Sequence, residues 1–231
     1  MEKIAICITT RNRHSVLDFS LAEWKKYKPK NSKIFIVDDA STIPVKNSNF
    51  RFDKQQGIAK AKNKCLELSE DFDFVFLADD DIYPKIKGWE KPYIKSNLNH
   101  LALTFEKNHR NQFYSPSVRK EGEWNGFTTY KAPNGCLLFL TQKAIKNAGG
   151  MRPEFSIWGF EHVEYSQRIN LLGLTPHPYI DVPNSLDLFH VCDYYNEVKS
   201  SIPIDVKRES GKHNLKIWEL LGGKPEFVPY K

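Results

Sequence analysis

Apolar residues fall into short blocks along the chain, and most blocks end in polar or acidic positions. Lys3 to Thr9 (KIAICIT) is a β-branched run followed by the polar loop Thr9-Thr10-Arg11-Asn12-Arg13, which carries two guanidinium groups. A run of that length, bounded by turn residues, predicts a buried strand. Leu17, Leu21, Trp24 and Tyr27 then recur at helical spacing, and Pro29 to Ser32 ends that helix. Lys33 to Val37 predicts a second buried strand, which delivers Asp38 and Asp39 to its end. Gly57 opens a second helix with the apolar stripe Ile58, Ala61, Cys65 and Leu68, and Lys60, Lys62 and Lys64 fall off that stripe. Phe74 to Ala78 predicts a third strand, running into Asp79, Asp80 and Asp81. Strand, helix, strand, helix, strand implies a parallel sheet with helices packed on it, an α/β fold.

The pattern weakens from Trp89 to Tyr130. Leu101 to Phe105 predicts a short strand, while Asn108 to Asn125 is polar and reads as a loop. Gly135 to Leu140 (GCLLFL) predicts another buried strand, and Thr141 caps a helix that Gly149-Gly150 ends. Trp158 to Arg168 reads WGFEHVEYSQR, and a proline-punctuated extended segment then leads to Phe189-His190. Asp193 to Lys212 is polar and basic, and one short amphipathic helix with Leu215, Trp218 and Leu221 closes the chain.

The 231 residues suffice for one large domain or two small ones. A net charge of +6 favours an anionic partner such as a nucleotide, an acidic glycan or a membrane surface met peripherally. No basic segment is dense enough for duplex nucleic acid. No apolar stretch approaches membrane-spanning length, and the first residues lack the apolar core of a signal peptide. The four cysteines are scattered without CxxC spacing, which points to reduced, buried thiols and a cytoplasmic protein. Cys192 lies close to His190, but no second Cys/His pair exists to complete a structural zinc site.

The aspartate triplet changes the picture most. Three consecutive carboxylates at the end of a buried strand repel one another and lose hydration, so a positive charge is expected among them. A hard divalent cation, Mn²⁺ or Mg²⁺, takes carboxylate oxygens and leaves positions for phosphate. Ligands in open α/β sheets bind beyond the carboxyl ends of the strands. The first strands fit a Rossmann-like nucleotide-binding half, yet they lack GxGxxG and the Walker GxxxxGK[ST].

Four segments in order resemble glycosyltransferases of the GT-A fold. IVDDAST (Ile36 to Thr42) looks like the VDDGS segment of family 2 enzymes. GIAKAKN (Gly57 to Asn63) is similar to their G-x-x-x-A-R-N helix, with Lys62 where arginine is usual. ADDDIYP resembles the DxD strand, and WGFEHVEYSQR resembles the WGGE-x-x-E segment of galactosyl- and polypeptide N-acetylgalactosaminyl-transferases. The resemblance covers about Lys3 to Asp193. It implies a single GT-A domain with a mostly parallel central sheet flanked by helices. Within it, residues 1–100 would form the nucleotide-binding half, 101–192 the acceptor and catalytic half, and 193–231 a C-terminal lid and helix.

The resemblance also implies site residues. Asp79 and Asp81 would be metal ligands with His190 as the third, and Asp80 would be the variable residue on the nucleotide side. Asp39 would contact uracil or ribose with help from Thr9 and Arg11, and Asp38 competes for that role. Lys62 would offer charge to phosphate or base, against the alternative of a solvated helix face. Asn134-Gly135 would let backbone N–H groups approach the donor sugar. Trp158 would stack on a hexose, Gly159 would turn the chain into a helix, and Glu161 would sit in its first turn. His162 departs from the family pattern, because inverting members carry a catalytic aspartate there, so the stereochemistry stays open between Glu161, His162 and a retaining reaction. Apart from the resemblance, the polar, basic composition of the tail and its place just after His190 predict a segment that closes over the donor, supplying Lys199, Lys207 or Arg208 to the diphosphate or to an anionic acceptor, against the alternative of a solvated linker to the last helix.

The expected activity is metal-dependent transfer of a hexose-type sugar from a nucleoside-diphosphate sugar, UDP-linked, to a glycan, lipid-linked or protein acceptor. A sugar-1-phosphate nucleotidyltransferase would want a glycine-rich loop after the first strand, and Thr9 to Arg13 contains no glycine. The other competitor is a GT-A-like domain that binds nucleotide or glycan without turnover.

Overall fold

The computed structural model describes residues 2–155 and 157–231. Strand β1 (Ile4–Thr10) is buried at every position, as a run without a polar face must be when both sides of a sheet are covered. Helix α1 (His14–Tyr27) leads into β2 (Ser32–Asp38), the two-residue edge strand β3 (Phe50–Arg51), helix α2 (Ile58–Leu68) and β4 (Phe74–Asp79). Next come β5 (Ile82–Pro84), the short α3 (Lys91–Ile94), β6 (His100–Ala102), a hairpin of β7 (Lys120–Trp124) and β8 (Phe127–Tyr130), then β9 (Leu137–Thr141) and α4 (Gln142–Ala148). The chain continues through α5 (Glu161–Leu171), β10 (Ile180–Asp181), α6 (Ser185–Leu188), β11 (Phe189–Val191), α7 (Cys192–Tyr195) and α8 (Ile204–Leu221).

The main sheet has the order β3-β2-β1-β4-β9-β6. β1, β2, β3 and β4 are parallel, and β9 alone runs against its neighbours β4 and β6. The register sets Thr9 beside both Val37 and Asp79, and Thr10 beside Asp38. Polar strand ends from three elements therefore meet at one edge. Because β9 is reversed, its beginning lies at that same edge, with Leu137 opposite Ala78. The long excursion between β6 and β9 leaves and returns at bonded neighbours, the Leu103 N–H donating to the Leu137 carbonyl at 3.0 Å.

Two apolar cores cover the sheet. On one face Trp24, Phe76, Trp89, Tyr93 and Phe189 are buried together, with Trp24 and Trp89 edge-to-face at 5.1 Å. Both indoles are satisfied: Trp24 Nε1 donates to the Ile82 carbonyl at 2.8 Å and Trp89 Nε1 to the Tyr27 carbonyl at 3.2 Å. Each buried ring of this size is worth about 2–3 kcal/mol in area removed from water. On the other face Ala61, Cys65, Leu66, Ile145, Tyr165 and Ile169 pack under α2, α4 and α5.

The strand and helix expectations of the first hundred residues agree with these elements. The expected cap is present, since Thr141 Oγ1 accepts from the Ala144 N–H at 3.3 Å. Two segments differ. Asn108 to Asn125, expected as a loop, contains β7, which pairs with β8 and then β10 in a small antiparallel sheet. β7 is exposed at four of its five positions, so no apolar alternation marks it. The closing helix is also longer than the short one expected: α8 has 18 residues and begins inside the polar tail. Its two buried residues are Ser210 and Asn214, and Ile217 and Trp218 pack half-buried against the core, so polar contacts and a short apolar stripe together hold it. No helix among the described residues is long and apolar enough to cross a membrane.

Candidate active site

A cavity of about 340 Å³ opens at the carboxyl ends of β1, β2 and β4. Thr9, Thr10, Arg11 and Arg13 reach it from the end of β1 and the loop behind. Arg13 Nη2 spans two of the three aspartates, 3.1 Å from Asp80 Oδ1 and 2.6 Å from Asp81 Oδ2. Thr10 Oγ1 donates to the other Asp80 oxygen at 2.6 Å. Asp80 is thus held from two sides, by the last residue of β1 and by the loop after it.

The two aspartates after β2 divide. Asp38 accepts from the Ser41 and Val45 N–H groups at 2.8 and 3.1 Å and pairs with Arg51 Nε at 3.4 Å. It is fully buried and does not line the cavity; its carboxylate shapes the turn after β2. Asp39 does line the cavity, and it accepts from the Gln56 and Gly57 N–H groups at 2.6 and 2.9 Å. Gly57 adopts φ +90°, which favours glycine, and there it starts α2.

Lys62 is a buried cation, and the solvated helix face is corrected on this point. It is 1% exposed; its Nζ donates to the Gly135 carbonyl at 2.9 Å and stands 3.1 Å from Asp79 Oδ1. The apolar stripe of α2 packs on the sheet, and the loop before β9 closes over the adjoining flank where Lys62 emerges. Burial alone would lower the ammonium's pKa, but Asp79 and Glu161 outweigh it and the net shift is upward.

The cavity's far wall comes from the loop before β9 and from α5. Gly135 takes φ +84°, and a Cβ placed there would lie 2.7 Å from the His162 ring. Asn134 Oδ1 accepts from the Phe105 N–H at 2.7 Å, while its Nδ2 is buried without a partner. Gly159 and Phe160 are both left-handed, φ +97° and +70°, and turn the chain into α5. Gly159 itself is not a lining residue. Trp158 is 42% exposed over the cavity with Lys207 Nζ 4.9 Å from its ring centre. α8 grips this turn: Ser210 Oγ donates to the Trp158 carbonyl at 2.7 Å, and Asn214 Nδ2 donates to the Trp158 and Gly159 carbonyls at 2.9 and 2.8 Å.

Glu161 is 4% exposed at the first position of α5. Its Oε1 lies 2.9 Å from His162 Nδ1, and its Oε2 has no hydrogen-bond partner. Burial pushes this carboxyl up, but His162 and Lys62 pull it further down, and the net shift is downward. Three residues on, Glu164 and Arg168 form a buried pair at 2.7 Å, bracing the helix as their spacing predicts.

His190 does not line the cavity. Phe189 and Val191 take the buried positions of β11, and alternation along the strand turns His190 the other way. Its ring is stacked between Tyr83 at 4.8 Å and Tyr195 at 4.4 Å, and its Nε2 lies 2.7 Å from Glu197 Oε2. The acid that reaches the cavity from this segment is Asp193, which accepts from the Tyr114 hydroxyl at 2.8 Å.

Six carboxylates therefore line the cavity (Asp39, Asp79, Asp80, Asp81, Glu161 and Asp193) against four cations (Arg11, Arg13, Lys62 and Lys207). Burial, with help from neighbouring acids, pushes Asp79 and Asp193 up and takes Asp80 to about 7. Asp79 Oδ1 is near Lys62 but off the line of a hydrogen bond, and it counts as an unpartnered buried oxygen. An all-oxygen donor set short of positive charge fits a hard divalent cation. Of Lys199, Lys207 and Arg208, named on sequence, Lys207 lines the cavity, whereas Arg13, Tyr114, Asp193 and the Ser200-Ser201 pair were not singled out as site residues. They lie in polar segments without periodicity, and their partners are far away along the chain.

No protein-family model matches the chain. An uncharacterised glycosyltransferase of Acanthamoeba polyphaga mimivirus is 29% identical over 219 residues, covering 82% of each chain. Among solved structures, GalNAc-T7 with UDP, GalNAc and Mn²⁺ superimposes at a TM-score of 0.60, with 15% identity over 79% of this chain. The mannosyltransferase PcManGT of Pyrobaculum calidifontis, in complex with GDP-Man and Mn²⁺, gives 0.57 with 14% identity over 79% of this chain. TarS of S. aureus gives 0.59 with 16% identity over 84% of this chain. The chain spans 43%, 55% and 38% of the lengths of these three structures.

Proposed function

From the GT-A glycosyltransferase fold that these likenesses show, we propose that the chain is a metal-dependent glycosyltransferase. It moves a hexose-type sugar from a UDP-sugar to a glycan, lipid-linked or protein acceptor. The observation that carries the reading is the meeting of Asp79, Asp81 and Asp193 with Arg11 and Lys207 in one cavity, facing Glu161. A site of that composition suits a nucleoside diphosphate bridged to carboxylates by a cation.

Asp79, Asp81 and Asp193 would hold the cation, with Asp193 in the place first expected of His190. The bound ion, Mn²⁺ or Mg²⁺, would act as a Lewis acid for the departing diphosphate. Arg13 keeps Asp80 and Asp81 in position, and Lys62 does the same for Asp79 and the Gly135 carbonyl. Arg11 and Lys207 offer charge to the diphosphate. Thr9 and Asp39 hold the nucleoside, with Asp39 keeping lone pairs free beyond its two backbone bonds. Trp158 offers an apolar face to a sugar ring. Glu161, ionised and with Oε2 unpartnered, serves as the group that orients or deprotonates the acceptor hydroxyl, and His162 fixes its orientation.

A panel of sugar nucleotides, followed by NMR for protection and for release of nucleoside diphosphate with and without Mn²⁺, tests the reading. Metal-dependent release from a UDP-sugar supports it. Binding without release would leave a nucleotide-binding domain instead, and full turnover by Asp81→Ala in excess chelator would remove the metal from the mechanism.

A further inference from the structure

Beside the aspartate cavity lies a second set of metal-ligating groups that the proposed reaction does not use. The His190 imidazole, the Cys192 thiol and the Glu197 carboxylate bring their ligand atoms within 4.8 Å of one another. Three ligands of a tetrahedral zinc ion sit about 3.3–3.7 Å apart, so small side-chain rotations that open the 2.7 Å His190–Glu197 contact and draw in the longer separations reach that spacing. The arrangement is built rather than incidental. Tyr83 and Tyr195 clamp both faces of the His190 ring, interplanar angles 15° and 12°, which fixes the direction of its nitrogens. The Glu197 N–H donates to the Cys192 carbonyl at 3.0 Å, closing the loop that spaces the two side chains. A separate cavity of about 200 Å³, lined by Phe19, Tyr83, Cys192 and Glu197, gives access from solvent.

We propose that His190, Cys192 and Glu197 form a second metal site, distinct from the aspartate cluster and selective for a thiophilic divalent cation of the zinc class. Nitrogen, sulfur and oxygen donors together suit Zn²⁺ or Co²⁺ better than Mn²⁺ or Mg²⁺. Three protein ligands leave a fourth position open. Binding releases the Cys192 thiol proton to solvent; the neutral imidazole, whose Nε2 now donates to the Glu197 carboxylate, shifts its proton to Nδ1 so that the metal replaces that proton between nitrogen and carboxylate.

The test uses the reduced, chelator-stripped full chain titrated with Co²⁺ and then Zn²⁺, and it does not depend on transferase activity. Thiolate ligation to Co²⁺ produces a sulfur-to-metal charge-transfer absorption. The expected result is one Co²⁺ bound with that band, displaced by Zn²⁺. Cys192→Ser should abolish the band, and His190→Ala and Glu197→Gln should each weaken Co²⁺ binding about tenfold or more. Asp81→Asn should keep the band, because it belongs to the other cluster. Absence of the band in the unmutated chain overturns the proposal, as does a band that survives Cys192→Ser or unchanged affinity in both His190→Ala and Glu197→Gln.

Discussion

The Lys62 ammonium lies 3.1 Å from Asp79 Oδ1, its Nζ buried while the aspartate side chain is 35% exposed. The pair is asymmetric: the cation depends on its partners for solvation, and the acid retains access to water. Lys62→Met removes a buried charge and leaves Asp79 Oδ1 buried without its cation while the rest of the carboxylate still reaches water, so the loss of stability should fall below that of a fully buried broken pair, about 1–3 kcal/mol. Urea denaturation measures it. Nucleotide binding should weaken as well, because Asp79 and the Gly135 carbonyl lose their common anchor. Unchanged stability and unchanged binding together would show that the pair positions nothing.

Gly135 and Gly159 share a left-handed backbone but not an environment. A Cβ at Gly135 meets the His162 ring at 2.7 Å, whereas nothing lies within 4 Å of one at Gly159. Gly159→Ala should cost only the backbone strain, about 1 kcal/mol. Gly135→Ala adds the displaced imidazole and should cost about 2–4 kcal/mol, with loss of transfer activity. Equal destabilisation in parallel denaturation curves would count against the close contact.

Glu161 and His162 are predicted to be unequal. Glu161 is held ionised below its ordinary range, so its charge is present throughout the neutral and mildly acidic region. Glu161→Gln should lower transfer about a thousandfold, the size of a lost charged group aimed at a reacting centre. His162→Asn should keep a measurable part, because it acts on the carboxylate rather than on substrate. The reverse ranking in a transfer assay would assign the chemistry to the histidine, and the anomeric configuration of the product would decide between inversion and retention.

A pH effect on stability should come from His100, far from the cavity. Its Nδ1 faces the Phe139 carbonyl at 2.9 Å and must donate, which leaves Nε2 to accept from the Ser166 hydroxyl at 2.7 Å. Burial pushes the imidazole down to about 4, against roughly 6.5 in an unfolded chain. The unfolded chain therefore binds the proton first as pH falls. The residue's contribution is complete above about pH 6.5 and is lost between there and about pH 4, at up to about 1.4 kcal/mol per pH unit. Between about pH 7.5 and about pH 5 this residue should account for a fall of about 2 kcal/mol, absent in His100→Gln. An identical pH dependence in the variant would rule the histidine out as its source.

The strand ends were legible because each buried strand closes abruptly in charge: Val37 into Asp38 and Asp39, Ala78 into Asp79, Asp80 and Asp81. What periodicity could not supply was the surroundings of a side chain. Lys62 falls off the apolar stripe of α2, and only the return of the chain at Gly135 makes that flank interior. His190 and Asp193 are three residues apart, with opposite outcomes set by one strand alternation and one turn of α7. Neither device is long enough to leave a pattern. Tyr114 meets Asp193 across 79 positions of the chain, so no local signal could have marked it as a site residue.

The single reversed strand divides the site by direction of travel. Residues such as Thr10, Asp39 and Asp79 are met as the chain leaves the sheet, whereas Asn134 and Gly135 are met as it comes back. Between Leu103 and Leu137 the chain departs and returns through one hydrogen bond, carrying Tyr114 and the β7–β8 hairpin with it. Lengthening or replacing the exposed tip of the hairpin at Asn125-Gly126 need not move the register of Asp79 or Lys62, whereas Tyr114 must stay to hold Asp193 and Gly135 to hold Lys62. The hairpin tip can be exchanged as a cassette while the charged floor and these two anchors stay fixed, which makes it the place to engineer a new recognition surface.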